Sequence, residues 1–143
     1  MSRYKTMRIL SEIRRPARIE HLRELVAFVD KCAKTHGIDS ERCLKIGLAT
    51  EEILVNIFDY AYQGSEGDVR VRCGADQRGW FAAEFEDTGI PFDMLASDEP
   101  DTTADISERR IGGLGIHLVR KLMDEVTYRR ERDANILTII VRS

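Results

Sequence analysis

Three glycines cluster where the chain enters a segment with helical spacing. Gly112 and Gly113 are adjacent and Gly115 follows two residues later, in the stretch RRIGGLGIHLVRKLMDEV. Glycine at the start of a helix lets the backbone come close to a phosphate group, whose charge the helix N-terminus stabilises. It equally lets a loop turn sharply into a well-packed helix. The spacing matches neither the P-loop pattern nor GxGxxG after a strand, so the glycines alone leave both interpretations open.

A second set of polar residues lies on one face of a predicted helix. Glu52 and Asn56 are four residues apart, and Asp59 is seven residues from Glu52. Residues at these spacings share a helix face. Such a polar stripe usually indicates a surface exposed to solvent, and spacing alone favours that interpretation. The alternative is a carboxylate that accepts a proton, beside an amide that binds Mg²⁺.

A third candidate is the segment EDTGIPFD, in which a predicted strand ends at Asp87 and Gly89 follows. A carboxylate in this place could accept a hydrogen bond from a nucleobase, while the glycine lets the chain turn close by. The Asp-x-Gly pattern is also a common turn signal. Each of the three signals is therefore weak by itself.

The elements that must position these residues can be predicted from periodicity. Apolar residues alternate or recur at helical spacing in segments separated by Pro16, Gly37 and polar loops. The predicted elements are a strand at 6–13, helices at 17–36 and 39–62, strands at 68–74 and 80–87, the glycine-led helix, and strands at 126–132 and 135–143. This order predicts an α+β fold, a two-layer α/β sandwich whose mostly antiparallel, mixed sheet carries the helices on one face.

A polar, acidic stretch without periodicity separates the third predicted strand from the glycine-led helix, at about 93–111. It is long for a connection in a compact domain, and loops of this length are often lids over a binding site. An irregular excursion of the surface fits the sequence equally well.

The composition is that of one globular domain. Of 143 residues, 43% are hydrophobic and 33% are charged, which allows a real core. The net charge of −3 argues against a nucleic-acid partner. The sequence contains neither a signal-peptide core nor an apolar run of membrane-spanning length, so we expect no membrane span. Cys32, Cys43 and Cys73 lack CxxC spacing, which indicates a reducing, cytoplasmic environment rather than disulfides or a zinc site.

The order of the three motifs is more specific than any one of them. EEILVNIFDYAY, EDTGIPFD and IGGLGIHLVRKLMDEVTY follow one another in a way that resembles the GHKL, or Bergerat-fold, ATPase superfamily. Within it the chain resembles the bacterial anti-sigma-factor serine/threonine kinases of the RsbW type, from its first helix to its last strand. The resemblance implies one histidine-kinase-like ATPase domain over residues 1–143, with ATP and Mg²⁺ as cofactors and residues 93–111 as the ATP lid.

The resemblance also implies roles for individual residues. Glu52 would be the general base that accepts the proton of a serine hydroxyl, and Asn56 would bind Mg²⁺. The other residues would bind the nucleotide: Asp87 the adenine amino group with Gly89 beside it, Gly113 and Gly115 the phosphates, and Thr138 the adenine, often through water.

The function that the resemblance implies is partner switching. The chain would phosphorylate a STAS-domain anti-sigma antagonist and bind a sigma factor, and family members are commonly homodimers. A response regulator in place of the sigma factor fits the same ATP site. Related sites often carry a basic residue and a histidine where this chain has Asp59 and Tyr60. The acidic residue favours an alternative, a non-catalytic module in which nucleotide gates the binding of a protein partner.

Overall fold

Apolar residues at every second position build a five-stranded sheet within the part of the chain that the structure describes. The computed structural model describes residues 7–96 and 113–143. The elements in these ranges are β1 (Arg8–Pro16), α1 (Leu22–His36), α2 (Ser40–Tyr60), β2 (Asp68–Ala75), β3 (Phe81–Asp87), α3 (Gly113–Leu122), β4 (Glu125–Glu131) and β5 (Ala134–Val141). Single turns of 3-10 helix lie at Ile19–His21 and Met94–Ala96. The predicted order of elements is confirmed.

The strands lie in the order β1-β2-β3-β5-β4, and each neighbouring pair is antiparallel. The predicted two-layer α+β sandwich is therefore confirmed. The expectation of a mixed sheet is wrong for the described strands. The physical reason is the connectivity, because tight turns join β2 to β3 and β4 to β5, and β5 then pairs with β3 in the opposite direction.

Local sequence sets where α1 ends and where α2 begins. Gly37 ends α1 with a φ of 100°, the left-handed conformation that glycine adopts without strain. Asp39 caps α2, since its Oδ2 accepts a hydrogen bond from the Arg42 backbone N–H at 3.3 Å. These caps fix the start of α2, the helix that carries Glu52 and Asn56. Among the helices of the described ranges, none combines the length and apolar character that a membrane span requires.

The core lies between the helices and one face of the sheet. Buried side chains at alternate strand positions, such as Val71, Phe85 and Ile139, belong to the same cluster as Ile53 of α2. Successive side chains of a strand point to opposite faces. Asp87, two residues after Phe85, therefore points toward the helix layer. The packing of the core therefore directs the side chain at the end of β3 toward the layer that contains α2.

The opposite face of the sheet carries a network of ion pairs. Arg72 is 8% exposed, lies 3.1 Å from Glu84 and also pairs with Glu86. Arg129 lies 3.4 Å from the other carboxylate oxygen of Glu84. Buried charges need such partners, because the desolvation of a lone ion costs several kcal/mol. Thr138 lies on this face as well, directly opposite Glu84 in the strand register.

Gly74 allows β1 and β2 to come together at an irregular pairing. The register between the strands shifts between Ile9 and Ser11. A Cβ at position 74 would lie 1.7 Å from the carbonyl oxygen of Arg8, which is backbone and cannot turn away. We therefore expect Gly74→Ala to lower the free energy of unfolding by about 1–3 kcal/mol, as measured by urea denaturation.

Gly47 provides the matched control for this substitution. It lies inside α2, where the nearest atom to an added Cβ would be Val26 Cγ1 at 4.0 Å. Gly47→Ala should raise the free energy of unfolding by about 0.5–1 kcal/mol, because alanine is the better helix former. Equal effects of the two substitutions would contradict the close contact at Gly74.

Candidate active site

The helix α2 presents Glu52 and Asn56 toward the start of α3 and the segment after β3. Asn56 is 4% exposed, and its Nδ2 donates a weak hydrogen bond to Met94 Sδ at 3.9 Å. Glu52 is half-buried, and a Cβ at Gly115 would lie 2.4 Å from its Oε2. The structure therefore brings Glu52 together with the first turn of α3. The solvent-face interpretation of this stripe fails at Asn56, which is buried.

The surroundings of Glu52 change its acidity. Burial is the main cause that raises the pKa of its carboxyl group, and the negative charge of Glu51 raises it further. A carboxylate with a raised pKa holds a proton more strongly and is a better base at the pH where it is still ionised. The position thus suits proton transfer.

Asp59 and Tyr60 occupy different environments one turn beyond Asn56. Asp59 is exposed, whereas the Tyr60 ring packs on Phe92 with 5.5 Å between ring centroids. Burial, and then the charge of Asp59, raises the pKa of Tyr60. The Tyr60 hydroxyl is buried and has no hydrogen-bond partner in the described ranges. Tyr60 therefore joins the end of α2 to the segment after β3 through ring packing.

The carboxylate of Asp87 is buried where β3 ends. Asp87 is 5% exposed, and its Oδ1 accepts hydrogen bonds from Asn135 Nδ2 at 2.8 Å and from the Gly89 N–H at 3.0 Å. Burial raises the pKa of this carboxyl group, and the two hydrogen bonds oppose that effect without cancelling it. Oδ2 accepts no hydrogen bond from residues 7–96 or 113–143. One acceptor oxygen is thus available for a ligand with a donor group.

Gly89 brings the segment after β3 against the last turn of α2. A Cβ at this glycine would lie 2.0 Å from the carbonyl oxygen of Ala61. The N–H of the next residue, Ile90, donates to that same oxygen at 2.9 Å. Gly89 therefore has a packing role that joins Asp87 to the helix carrying Glu52 and Asn56.

Thr138 does not join this group of residues. It faces the other side of the sheet and lines a cavity of about 450 Å³ together with Thr127 and Glu84. The strand position opposite Asp87 is taken by Asn135, which sequence reasoning missed. The signal that could have found it is strand alternation, since Asn135 is polar at a position on the same face of β5 as the core-facing Leu137 and Ile139.

The glycine-led helix begins at Gly113. The predicted lid at 93–111 lies largely outside the described residues, and of this stretch residues 93–96 are described. Gly112 lies outside them as well. The part of the lid that is described ends in a 3-10 turn whose Leu95 carbonyl accepts a hydrogen bond from Arg120 of α3.

The residues present fit a magnesium ion that is held mainly by a bound ligand. The described residues contain no group of three or more His, Cys, Asp or Glu that could hold a metal ion. Mg²⁺ commonly takes one or two protein oxygens and completes its coordination with phosphates and waters. Since Nδ2 of Asn56 faces Met94, its Oδ1 is the atom left to bind a cation.

A sequence profile of one protein family matches most of the chain. The family is described as the histidine kinase-like ATPase domain, and the match covers residues 15–141. Serine-protein kinase RsbW from Bacillus pumilus (strain SAFR-032) is 30% identical over 126 residues. That alignment covers 82% of this chain and 76% of the relative.

Two solved structures resemble the fold. A chain in the SiaB–SiaC complex from Pseudomonas aeruginosa gives a TM-score of 0.65 at 16% identity, and the match covers 96% of this chain and 92% of that one. The RsbU and RsbW domains of Rv1364c from Mycobacterium tuberculosis give a TM-score of 0.61 at 18% identity over 93% of this chain. The present chain spans 32% of that longer chain. At such identities the likeness shows a shared fold.

The burial of Asp87 predicts that its charge destabilises the ligand-free protein. Because its folded pKa is raised, the stability contributed by Asp87 is full at low pH and is lost as the pH rises through that value. Asp87→Asn keeps an oxygen for Asn135 and Gly89 but carries no charge. We expect this variant to have a higher free energy of unfolding than the wild type at neutral pH, with a gain that shrinks on acidification. Urea unfolding across the pH range measures it, and a gain that grows toward acid would contradict the buried charge.

Proposed function

Because the chain belongs to the family of histidine kinase-like ATPase domains, as an RsbW-like member, we propose that it binds ATP with Mg²⁺ between α2, the start of α3 and the segment 87–92. Asp87 would accept a hydrogen bond from the adenine amino group, and Asn56 would bind the metal ion. The backbone N–H groups at Gly113 and Gly115 would bind phosphate, which the positive end of a helix dipole favours. The oxygen of the buried Asp87 that accepts no hydrogen bond from the described residues supports this proposal. Thr138 has no part in it.

We further propose that the protein is a serine/threonine-protein kinase. The observation that carries this proposal is the half-buried carboxylate of Glu52, which lies against Gly115 and one helical turn before Asn56. Glu52 would take the proton of a serine hydroxyl as the hydroxyl oxygen bonds to the γ-phosphorus; the bond to the bridging oxygen then breaks and ADP leaves. Bound Mg²⁺ would neutralise charge on the triphosphate.

The proposed partners follow from the same family membership. We propose a STAS-domain anti-sigma antagonist as the phosphorylated substrate and a sigma factor as the second partner, with a response regulator as the alternative to the sigma factor. The serine-protein kinase name of the 30% identical relative supports a protein substrate. We also propose a cytoplasmic location, since Cys32, Cys43 and Cys73 are free thiols.

A second candidate function is a nucleotide-gated module without catalysis. Asp59 favours it, because a carboxylate one turn beyond Asn56 would repel a triphosphate. Asp59 is exposed, however. Water and salt therefore screen its charge, and we prefer the kinase. Nucleotide-dependent partner binding without a phosphorylated product would support the second candidate.

Nucleotide binding can be tested first by isothermal calorimetry with ATP and ADP, with and without Mg²⁺. Loss of the charged acceptor in Asp87→Asn should weaken ATP binding about 10- to 100-fold. Asp59→Asn is the control, because removal of an exposed charge should change affinity little or improve it slightly. If the wild-type protein bound no ATP, the proposed function would be excluded.

Phosphate transfer tests the role assigned to Glu52. With a labelled γ-phosphate and a STAS-domain antagonist, Glu52→Gln should slow transfer about 10²- to 10⁴-fold while ATP affinity stays within about threefold. The wild-type rate should rise with pH through the raised pKa of Glu52. Glu51→Gln, the matched control, removes one cause of that raised pKa and should move the profile to lower pH. Transfer by Glu52→Gln at the wild-type rate would show that Glu52 is not the base.

A further inference from the structure

Asn135 lies at the start of β5, directly opposite Asp87 in the strand register, and is 5% exposed. Its Nδ2 donates two hydrogen bonds, to Asp87 Oδ1 at 2.8 Å and to the Ile90 carbonyl oxygen at 2.7 Å. Both partners are acceptors, so both hydrogens of the amide nitrogen are used.

The oxygen end of the same amide receives donors. Oδ1 accepts hydrogen bonds from the Phe92 N–H at 3.2 Å, the Tyr128 hydroxyl at 2.6 Å and Arg130 Nη1 at 3.2 Å. A flipped amide would place donors against donors and acceptors against acceptors. The five partners therefore fix one orientation of Asn135.

This orientation determines what Asp87 can offer to a ligand. Oδ1 of Asp87 also accepts the Gly89 N–H at 3.0 Å, so two donors hold it in place. We propose that Asn135 is a positioning residue that sets nucleobase specificity, because it locks the Asp87 carboxylate with Oδ2 free to accept a hydrogen bond from the exocyclic amino group of adenine. This inference rests on the ATP site proposed above.

The chemistry of the base explains why this arrangement discriminates. Adenine presents an amino donor where guanine and hypoxanthine present a carbonyl oxygen. A carboxylate oxygen that cannot turn away accepts the donor and repels the carbonyl. A carboxylate that is free to rotate would present a less defined acceptor, and the preference for adenine would fall.

Asn135 also holds the segment that follows Asp87. Its bonds to Ile90 and Phe92 join this segment to β5, and Arg130 Nη1 donates to the Gly89 carbonyl at 2.9 Å. An aspartate in place of Asn135 would keep the acceptor that Phe92 and Tyr128 use and would set a second carboxyl group against Asp87 in place of the amide donor. Asn135→Asp therefore separates the two ends of the amide in one nearly isosteric change.

The test compares ATP with inosine triphosphate, whose base carries a carbonyl in place of the amino group. Calorimetry on the full chain should show that the wild type prefers ATP. In Asn135→Asp, ATP affinity should fall about 10- to 100-fold and inosine triphosphate affinity should change less than about threefold, so that the preference collapses. Tyr128→Phe, which keeps the ring and removes one donor to Asn135, should reduce the ratio about threefold.

The ratio of the two affinities distinguishes positioning from general destabilisation. A variant that binds both nucleotides more weakly by the same factor, and so retains the wild-type preference, would overturn this inference. The proposal of an ATP site would still stand. Absence of ATP binding by the wild type would overturn the proposed function and this inference together. Thermal unfolding of each ligand-free variant shows whether the variant folds. If Asn135→Asp does not fold, the affinity ratio of Tyr128→Phe decides the test.

Discussion

The burial of one negative charge, that of Asp87, is the constraint around which the site is built. A carboxylate removed from water is unfavourable unless donors replace its hydration. The chain supplies those donors from two directions, the backbone N–H of Gly89 on one side and the side chain of Asn135 on the other. The compensation is incomplete, as the raised pKa of Asp87 shows. The result is a preformed site with one acceptor oxygen to which no residue of the described ranges donates, which is the arrangement expected where a ligand completes the hydrogen bonding.

Helix α2 connects the segment around Asp87 with the proposed catalytic residues. The segment after Asp87 packs against the C-terminal end of this helix. There the Ala61 carbonyl oxygen accepts a hydrogen bond from the Ile90 N–H and leaves no room for a Cβ at Gly89. Asn56 and Glu52 lie farther back on the same helix, so their distances from Asp87 are set by a rigid element rather than by a loop. Ile53 and Leu54, which follow Glu52 in α2, are fully buried, so the helix cannot rotate without exposing core side chains. Precise placement of this kind is a requirement for catalysis.

The secondary-structure elements and several residues of the candidate site could be predicted from the sequence because they depend on local patterns. The helix caps, the alternation in the strands and the order of the polar motifs predicted the elements and drew attention to Glu52, Asn56 and Asp87. Strand alternation also separates Asn135 from Thr138, because the two residues are three positions apart and face opposite sides of the sheet. It does not by itself place Asn135 beside Asp87. Which residue of β5 lies opposite Asp87 depends on the register of β5 against β3. Because β3 and β5 are not consecutive in the chain, no local turn sets that register, and it could not be predicted from a short-range pattern.

The hydrogen bonds to Asp87 only partly replace its lost hydration, so the stability of the folded protein, and with it the protein's lifetime, depends on a bound ligand. A ligand that binds the folded chain alone adds RT ln(1 + [L]/Kd) to its stability, about 2.7 kcal/mol at a hundredfold excess over the dissociation constant. The unfolded fraction would then fall about a hundredfold, and with it the access of proteases to the chain. If that ligand is the proposed nucleotide, a cell short of it would degrade this protein faster, and the abundance of the protein would follow the energy supply without a dedicated sensor.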